Sequence, residues 1–296
     1  MSDTNGSMPQ KESLVERRDL VVEALKYIRK FSGTRAVIKY GGAAMVEAEL
    51  KRSFALDLVL LQAAGLRPVV VHGGGPEITR TLERLGQKSQ FIGGQRVTGD
   101  AEMSVVEMVL TGRVNTEIVG LINTLGGTAM GLSGKDAHLI RAHKLEPKPG
   151  QPDLGLVGEV EGINTEVLDM LLDKSYMPII SPVGLGAEGA SFNINADMVA
   201  AEVAVASRAK KLIFLTDVPG ILDENRQLIS EIRADELRGQ LGEGKSVKGG
   251  MQVKAQAILR ALDGGVDAVH VVDGRELHSV VVELFTDKGV GTLITR

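Results

Sequence analysis

Residues 36–42, Ala36-Val37-Ile38-Lys39-Tyr40-Gly41-Gly42, predict the first strand and turn of an α/β fold. An apolar strand that runs directly into two glycines brings backbone N–H groups close to whatever lies beyond the sheet edge, because glycine lacks a Cβ and tolerates positive φ. Such amides commonly bind phosphate oxygens, and Lys39 adds positive charge at the edge where open α/β sheets bind ligands. An exposed lysine before an ordinary β–α turn explains these residues equally well.

The second predicted strand ends in the same way. Residues 67–72, Arg67-Pro68-Val69-Val70-Val71-His72, run into three glycines and then Pro76, which suits the first position of a helix. Valine-rich strands indicate a sheet covered on both faces, and their alternation with helices indicates a parallel sheet. We therefore predict an α/β fold: a three-layer αβα sandwich around a mainly parallel open sheet, in two lobes, with both glycine loops at one edge.

Hydrophobic periodicity predicts the remaining elements. We expect further strands at 177–183, 211–216, 267–272 and 291–295, besides 35–40. We expect helices at 47–64, 76–86, 101–125, 164–173, 195–208, 234–240, 250–263 and 276–286. Residues 90–99 are predicted to form a hairpin that carries Arg96, and residues 128–162 a small β excursion.

An extra helix is predicted ahead of the first strand. Residues 1–12 are predicted to be disordered, and residues 13–31 show an amphipathic pattern with Ser13 as its N-cap. Its apolar stripe consists of Leu14, Val21, Leu25 and Ile28. A βα unit does not need this helix, so the stripe requires a partner, either the body of the protein or another subunit.

Composition excludes several classes of function. A formal net charge of −4 and an aromatic content of 3% argue against a nucleic-acid partner. No apolar run approaches the roughly 18 residues that span a membrane, and residues 1–10 lack the apolar core of a signal peptide. The sequence contains no cysteine, which excludes disulfides and fits a reducing compartment, so we expect a cytoplasmic protein.

Two segments match nucleotide-binding patterns without the required context. Residues 239–246, Gly239-Gln240-Leu241-Gly242-Glu243-Gly244-Lys245-Ser246, match the P-loop pattern, which needs a buried strand directly before it. Residues 232–238 show a polar helical pattern instead. Residues 184–189, Gly184-Leu185-Gly186-Ala187-Glu188-Gly189, match the dinucleotide fingerprint, but the next helix is expected to begin near Asn195 rather than inside the motif. We favour neither interpretation.

Residues 193–197, Asn193-Ile194-Asn195-Ala196-Asp197, lie where a loop becomes a helix. Asn195 as an N-cap and Asp197 as a complement to the helix dipole explain two of the three polar residues. They leave Asn193 unexplained. In extended chain Asn193 and Asn195 point the same way, so their two amides could hold a carboxylate or an amide ligand.

Two further segments are candidates for a phosphate site. Lys254 lies on the flank of the apolar face of helix 250–263, where its ammonium group must either snorkel to water or meet an anion. The flexible basic loop at 246–250 suits the mouth of such a site. Residues 216–221, Thr216-Asp217-Val218-Pro219-Gly220-Ile221, form either a common Pro-Gly turn or the lining of a nucleotide pocket.

Together these segments resemble the amino acid kinase family, and within it the members that phosphorylate N-acetyl-L-glutamate. The resemblance rests on motifs that occur in family order, at 37–42, 71–75, 95–98 (Gln95-Arg96-Val97-Thr98), 193–197, 216–221 and 250–254 (Gly250-Met251-Gln252-Val253-Lys254). Each motif is weak alone, but the set is highly specific and covers roughly residues 30–296.

The resemblance implies phosphorylation of the γ-carboxylate of N-acetyl-L-glutamate by MgATP, a step of arginine biosynthesis. A carboxylate with a pKa of about 4 is already ionised at neutral pH, so no general base is needed. The reaction needs alignment of two polyanions and neutralisation of charge. The implied organisation is a tail and oligomerisation helix at 1–31, an amino-acid-substrate lobe at 32–183 and a nucleotide-binding lobe at 184–296.

The resemblance also implies roles for individual residues. Lys39 and Lys254 would bind the transferring phosphoryl group, and Asp197 would hold both lysines. The implied substrate-binding residues are Gly74, Gly75, Arg96, Asn193 and Asn195. The implied ATP-binding residues are Gly41, Gly42, Thr216, Asp217, Gly220, Ile221, Leu222, Ser246 and Lys248. Mg²⁺ is expected to be held mainly by phosphates, so we predict no protein ligand for a metal.

The N-terminal helix resembles that of arginine-inhibited members, where it swaps between dimers to build a hexameric ring, a trimer of dimers. Tyr27, His270, Glu283 and Gly289 match the family's arginine-site positions, so we expect L-arginine to inhibit. Each could equally be ordinary helix or strand surface. Glu283 could bind a guanidinium group and His270 could sense pH. A PII-type signalling protein is a candidate partner of the ring.

Two alternatives from other classes remain. One is a non-catalytic sensor of amino acids and nucleotides on the same scaffold, against which the presence of both Lys39 and Lys254 argues. The other is a dinucleotide-dependent oxidoreductase, which rests on the match at 184–189.

Overall fold

The computed structural model describes residues 11–147, 150–241, 250–287 and 289–296. Its strands are β1 Arg35–Tyr40, β2 Arg67–His72, β3 Phe91–Ile92, β4 Gln95–Arg96, β5 Ala129–Ser133, β6 Ile140–Lys144, β7 Val157–Ile163, β8 Met177–Ser181, β9 Val183–Leu185, β10 Ser191–Ile194, β11 Lys211–Thr216, β12 Glu231–Arg233, β13 Ala268–Asp273 and β14 Thr292–Thr295. Its α-helices are α1 Lys11–Phe31, α2 Ala48–Ala63, α3 Gly75–Arg84, α4 Asp100–Glu107, α5 Asn115–Thr124, α6 Glu166–Asp173, α7 Ala196–Ala206, α8 Ala234–Gly239, α9 Gly250–Asp263 and α10 Ser279–Phe285.

The main sheet has 8 strands in the order β12-β14-β13-β11-β1-β2-β8-β5. Neighbouring strands run parallel except for β13 and β14. The prediction of a mainly parallel open sheet is therefore confirmed. The strands on both sides of the boundary predicted at residue 183 pair in this one sheet through β1 and β11, and the division into lobes stays a prediction.

Alternate residues of the sheet face two separate apolar cores. In β1, Val37 belongs to the core covered by α6, α7 and α9, whereas Ile38 belongs to the core covered by α2, α4 and α5. Both side chains are fully buried. Because successive side chains of a strand point to opposite faces, the burial of both requires helices on both sides of the sheet. This is the predicted three-layer arrangement.

Two smaller β units project from the main sheet. Strands β10, β7, β6 and β9 close a four-stranded sheet in which each strand pairs with two others. Strands β3 and β4 form the hairpin predicted at 90–99, with Phe91 opposite Arg96.

Several local predictions were wrong. Residues 11 and 12 belong to α1 rather than to a disordered tail, and residues 1–10 lie outside the described chain. Strand β5 is not part of a small excursion, because it pairs in parallel with β8 at the edge of the main sheet. The single strand predicted at 177–183 is divided into β8 and β9 at Pro182, whose nitrogen carries no hydrogen to donate.

The helix predicted at 101–125 also differs in one respect. A π-helical segment, Met108–Val114, lies between α4 and α5. Such widened turns often lie at functional sites. No helix in the described part of the chain is long and apolar enough to cross a membrane.

Candidate active site

The two predicted glycine loops lie side by side at one edge of the main sheet. β1 ends at Tyr40 opposite His72, the last residue of β2, and Gly73 N donates to Tyr40 O at 2.7 Å. β11, which ends at Thr216, pairs with the other side of β1. Because the carboxyl ends of parallel strands share an edge, this edge collects three of the loops that the sequence analysis identified.

Three charged side chains from distant parts of the chain meet at this edge. Lys39 Nζ lies 2.9 Å from Asp197 Oδ1, and Lys254 Nζ lies 2.8 Å from Asp197 Oδ2. The Lys254 contact has hydrogen-bond geometry, whereas the Lys39 contact is an ion pair without it. All three side chains are at most 13% exposed. The lysine on the flank of α9 therefore meets an anion rather than snorkelling to water.

The charges of this cluster support one another. Burial opposes ionisation of Asp197, but the positive charges of Lys39 and Lys254 outweigh it and lower the pKa of Asp197 to about 2. Burial also lowers the pKa of Lys254, and the Asp197 carboxylate opposes that shift. Lys254 Nζ lies 4.9 Å from the centre of the Phe214 ring, a further favourable contact for a cation.

Residues 193–197 contain both a helix cap and two asparagine side chains that line one cleft. Asn195 caps α7, since its Oδ1 accepts hydrogen bonds from Asp197 N at 2.9 Å and Met198 N at 3.3 Å. The cap holds Asp197 in the first turn of α7. Asn193 and Asn195 also line one cleft. Because the Asn195 carbonyl oxygen is already bonded, its side chain can offer a ligand only the amide N–H groups.

All five residues predicted to bind the substrate line this same cleft. They are Gly74, Gly75, Arg96, Asn193 and Asn195. Apolar walls come from Ile78, Phe91, Leu110 and Val157. The cleft thus combines a cation, two amides and an apolar surface, which suits a small acylated carboxylic acid.

Arg96 is held firmly at the edge of the cleft. Its Nη2 donates to Gly75 O at 3.0 Å and to Thr79 Oγ1 at 2.9 Å, and its Nη1 donates to Ser89 Oγ. The guanidinium carbon lies 4.6 Å from the centre of the Phe91 ring. Burial lowers the pKa of Arg96, but an arginine remains charged at neutral pH.

His72 was quoted in a motif but given no role by the sequence analysis. It is fully buried, and its Nδ1 lies 2.7 Å from Gly73 O while its Nε2 lies 3.1 Å from Asn115 Nδ2. Burial lowers its pKa to about 4, so the neutral ring donates to Gly73 O and accepts from Asn115. Asn115 also donates to Ile179 O at 2.8 Å. His72 therefore braces the second glycine loop, and its place at the end of a buried strand was the available signal.

The residues predicted to bind ATP are only partly described. Gly42 has a φ of +70° and lies beside the backbone of Asp217, so the turns after β1 and β11 are neighbours. Thr216 Oγ1 donates to Asp217 Oδ1 at 3.3 Å. The Ile221 side chain packs in the apolar core instead of facing the edge. Ser246 and Lys248 lie outside the described residues.

The turn after β11 is secured from β14. Ile221 N donates to Thr292 Oγ1 at 2.9 Å, and a Cβ on Gly220 would lie 2.5 Å from the same oxygen. Leu222 forms an isolated bridge with Leu228. Gly220, Ile221 and Leu222 thus shape the loop that carries Asp217.

Comparison with known proteins agrees with this geometry. The sequence model of the amino acid kinase family matches residues 34–273. The chain belongs to the amino acid kinase family.

Relatives within this amino acid kinase family are similar along the whole chain. The acetylglutamate kinase of Carboxydothermus hydrogenoformans is 52% identical over 294 residues, which cover 96% of this chain and 99% of the relative. The acetylglutamate kinase of Syntrophobacter fumaroxidans is 50% identical over 291 residues, with coverages of 96% and 97%.

A solved structure shows the same fold. The N-acetylglutamate synthase of Neisseria gonorrhoeae, complexed with coenzyme A and N-acetyl-glutamate, superposes with a TM-score of 0.84 at 26% identity. The match covers 94% of this chain and 63% of the synthase. The same synthase complexed with coenzyme A and L-arginine superposes with a TM-score of 0.79, also at 26% identity.

Three of the four residues predicted to bind arginine lie close together. His270 Nδ1 lies 2.6 Å from Glu283 Oε1, and a Cβ on Gly289 would lie 2.6 Å from Glu283 Oε2. Lys211 Nζ, which the sequence analysis did not identify, lies 2.7 Å from His270 Nε2. Burial lowers the pKa values of His270 and Lys211, the latter to about 8.

Tyr27 joins this group through α1. Its ring stacks on Phe31 with the ring centres 5.8 Å apart, and Lys211 Nζ lies 4.9 Å from the centre of the Phe31 ring. Tyr27 also donates a hydrogen bond to Asp287. Thus α1 lies against the C-terminal part of the chain and brings Tyr27 to the side of the sheet that carries His270.

The structure supports neither alternative nucleotide motif. The helix after 184–189 begins at Ala196, beyond the motif and strand β10. Helix α8 rather than a strand leads into the segment at 239–246 and ends at its first residue, Gly239. Residues 242–246 of that segment lie outside the described chain.

Proposed function

We propose that this amino acid kinase transfers the γ-phosphoryl group of ATP to the γ-carboxylate of N-acetyl-L-glutamate, a step of arginine biosynthesis. The observation that carries the proposal is the contact of Lys39 and Lys254 with Asp197 at the sheet edge that bears the two glycine loops. Full-length similarity to acetylglutamate kinases supports the choice of substrate, as does the complex of the related synthase with N-acetyl-glutamate.

The reaction needs no proton transfer from the acceptor. A γ-carboxylate oxygen attacks the γ-phosphorus, the bond from that phosphorus to the bridging oxygen of ADP breaks, and N-acetyl-L-glutamyl 5-phosphate and ADP are formed. The barrier comes from aligning two anions and from the charge on the transferring group. Lys39 and Lys254, held by Asp197, supply fixed positive charge from two sides, and the loop amides supply hydrogen bonds.

The cleft residues suit the remaining groups of N-acetyl-L-glutamate. We assign the α-carboxylate to Arg96, because a guanidinium group binds a carboxylate through two parallel hydrogen bonds. We assign the acetamido group to Asn193 and to the N–H groups of Asn195. The γ-carboxylate would then lie at Gly74 and Gly75, toward the lysines.

The phosphoryl donor is ATP, and we assign its binding site to the loops after β1 and β11. Ser246 and Lys248 are also predicted to contact ATP. The described residues contain no group of three His, Asp or Glu side chains that could hold a metal ion. We propose that Mg²⁺ is held mainly by the phosphates of ATP, where it would neutralise their charge.

The direct test measures ADP release from MgATP with N-acetyl-L-glutamate, using L-glutamate, L-aspartate and UMP as controls. We expect turnover only with N-acetyl-L-glutamate. Turnover with another acceptor instead would contradict the assigned substrate. A folded protein that binds ATP but turns over none of these compounds would favour the non-catalytic sensor.

We further propose feedback inhibition by L-arginine at the cluster of Tyr27, Lys211, His270 and Glu283. The buried Glu283 carboxylate and the Tyr27 ring suit a guanidinium group, and the related synthase has been solved with L-arginine. The exposed apolar residues of α1, Leu20, Val21, Val22 and Leu25, support a partner subunit. We propose for it the hexameric ring that the family resemblance implies. A PII-type partner and a cytoplasmic location stay predictions.

A further inference from the structure

Three side chains form a closed polar triangle beside the substrate cleft. Lys135 Nζ lies 2.9 Å from Glu107 Oε1 and 2.9 Å from Ser191 Oγ. Ser191 Oγ in turn donates to Glu107 Oε2 at 3.0 Å. We call this group the Lys135 triangle. It joins the end of α4, the loop after β5 and the start of β10, and none of its members lines the cleft.

The triangle is connected to one wall of the cleft through β10. Ser191 and Asn193 are two residues apart in this strand, so their side chains point to the same face. Asn193 lines the cleft and donates to Thr98 Oγ1 at 3.1 Å. The fully buried Thr98 donates to Arg96 O at 2.9 Å. Anchoring Ser191 therefore restrains the strand that presents Asn193, and Asn193 is linked to Arg96.

The triangle is also connected to a second part of the cleft lining, at Leu110. Glu107 is the last residue of α4, and the π-helical segment Met108–Val114 follows it directly. Leu110 of this segment lines the cleft, and a Cβ on Gly74 would lie 2.5 Å from its Cδ2. A π-helical turn is a rare local widening of a helix. Leu110 lies three residues after Glu107, so the contacts that hold Glu107 also help to hold Leu110 in place.

We propose that Lys135, Glu107 and Ser191 are positioning residues that hold Asn193 and Leu110 in place in the lining of the substrate cleft. The inference rests on the proposed function. It adds residues that affect the affinity for N-acetyl-L-glutamate without contacting this substrate. The Lys135 and Glu107 side chains are 32% and 36% exposed. Ion pairs with that much exposure contribute little to stability, so their loss is expected to change cleft geometry more than folding.

The test compares Lys135→Met and Lys135→Arg with the wild-type protein. For Lys135→Met we expect KM for N-acetyl-L-glutamate to rise about tenfold. This is a smaller effect than the roughly hundredfold loss of rate that a displacement of about 1 Å at a reacting group can cause. We expect kcat and KM for ATP to change by less than about twofold, because the catalytic lysines are not moved. Lys135→Arg keeps the positive charge and should retain most of the affinity. Glu107→Gln gives a second, independent variant.

Lys144→Met is the matched control. Lys144 lies on β6 of the same four-stranded sheet and forms an exposed ion pair with Asp153 at 2.6 Å. The substitution Lys144→Met should leave the KM values for N-acetyl-L-glutamate and for ATP unchanged. Melting temperatures of all variants separate altered geometry from partial unfolding.

The outcomes distinguish the two proposals. An active wild-type protein whose KM for N-acetyl-L-glutamate is the same in Lys135→Met and Glu107→Gln overturns the positioning role alone. Equal increases in Lys135→Met and Lys144→Met overturn it as well. A wild-type protein that does not phosphorylate N-acetyl-L-glutamate overturns both the positioning role and the proposed function.

Discussion

Lys39 and Lys254 contact the two different oxygens of one carboxylate, at 2.9 and 2.8 Å from Asp197. Lys39 comes from the central strand β1, and Lys254 from helix α9. Two ammonium groups this close repel each other unless an anion lies between them. Asp197 supplies that anion in the described structure, and the proposed reaction would bring the phosphoryl group to the same two cations.

Asp197→Asn should damage both folding and catalysis. The amide keeps the size of the side chain but removes the negative charge that lies between the two ammonium groups of Lys39 and Lys254. We expect the free energy of unfolding to fall by about 3–5 kcal/mol, the usual effect of breaking a buried ion pair. We expect kcat to fall by about 10²-fold or more, because both lysines lose their orientation. Urea denaturation and ADP release measure the two effects.

Asp153→Asn is the control for this prediction. Asp153 forms an exposed ion pair with Lys144, so its replacement should change the free energy of unfolding by no more than about 0.5 kcal/mol. Equal stability of Asp197→Asn and the wild-type protein would contradict the central role of this carboxylate.

Gly41→Ala should displace Lys39. A Cβ at this position would lie 2.5 Å from Lys39 Nζ and 3.1 Å from Lys39 Cε. Only the flexible end of the lysine has to move, so the fold should survive with a loss of less than about 1 kcal/mol. The ammonium group would leave Asp197, and we expect kcat to fall by about tenfold or more.

Gly120→Ala provides the comparison within a helix. No heavy atom lies within 4 Å of a Cβ built there. We expect unchanged kcat and a gain in stability of up to about 1 kcal/mol from the better helix propensity of alanine. If Gly41→Ala behaves like Gly120→Ala, the assigned position of Lys39 is wrong.

Arg96→Lys should weaken acceptor binding selectively. Lysine cannot reproduce the contacts of the planar guanidinium group with Thr79, Gly75 and the Phe91 ring. We expect KM for N-acetyl-L-glutamate to rise by roughly 10- to 100-fold, while KM for ATP stays the same. Initial rates at varied concentrations of each substrate measure this difference. Arg80→Lys, at an exposed residue paired with Glu77, should change neither value.

The buried His72 should make stability depend on pH. Its pKa is about 4 in the folded protein and about 6.5 in the unfolded chain, so the unfolded chain binds more protons between these values. Its stabilising contribution is complete above about pH 6.5 and is lost as the pH falls through about 4. The loss amounts to about 3 kcal/mol. Urea denaturation between pH 4 and 7 should show this slope, and a smaller slope in His72→Gln. Equal slopes in both proteins would contradict the assignment.

L-Arginine should inhibit the enzyme and raise its melting temperature. Tyr27→Ala removes the aromatic ring from the proposed arginine cluster, at a distance from the sheet edge that carries the lysines. We expect this variant to keep its activity in the absence of arginine and to lose both responses. L-Lysine, which lacks the guanidinium group, is the control ligand. If millimolar L-arginine alters neither rate nor melting temperature of the wild-type protein, feedback inhibition is excluded.

The sequence determined the elements whose origin is local. Strands β1 and β2, the glycine loops after them, the N-cap at Asn195 and the helix carrying Lys254 follow from periodicity, turn chemistry and the fixed conformational preferences of individual residues. The family could also be identified from the order of short motifs. The parallel sheet followed from valine-rich strands that alternate with helices.

Other features depended on which distant segments pair. The place of β5 at the edge of the main sheet follows from its pairing with β8. The place of Lys211 beside His270, in the proposed arginine cluster, follows from the neighbouring positions of β11 and β13. The Lys135 triangle joins three segments that no short motif connects. Local sterics and hydrophobic period act over a few residues, whereas contacts between side chains are decided by strand order and register, and only the tertiary structure contains those.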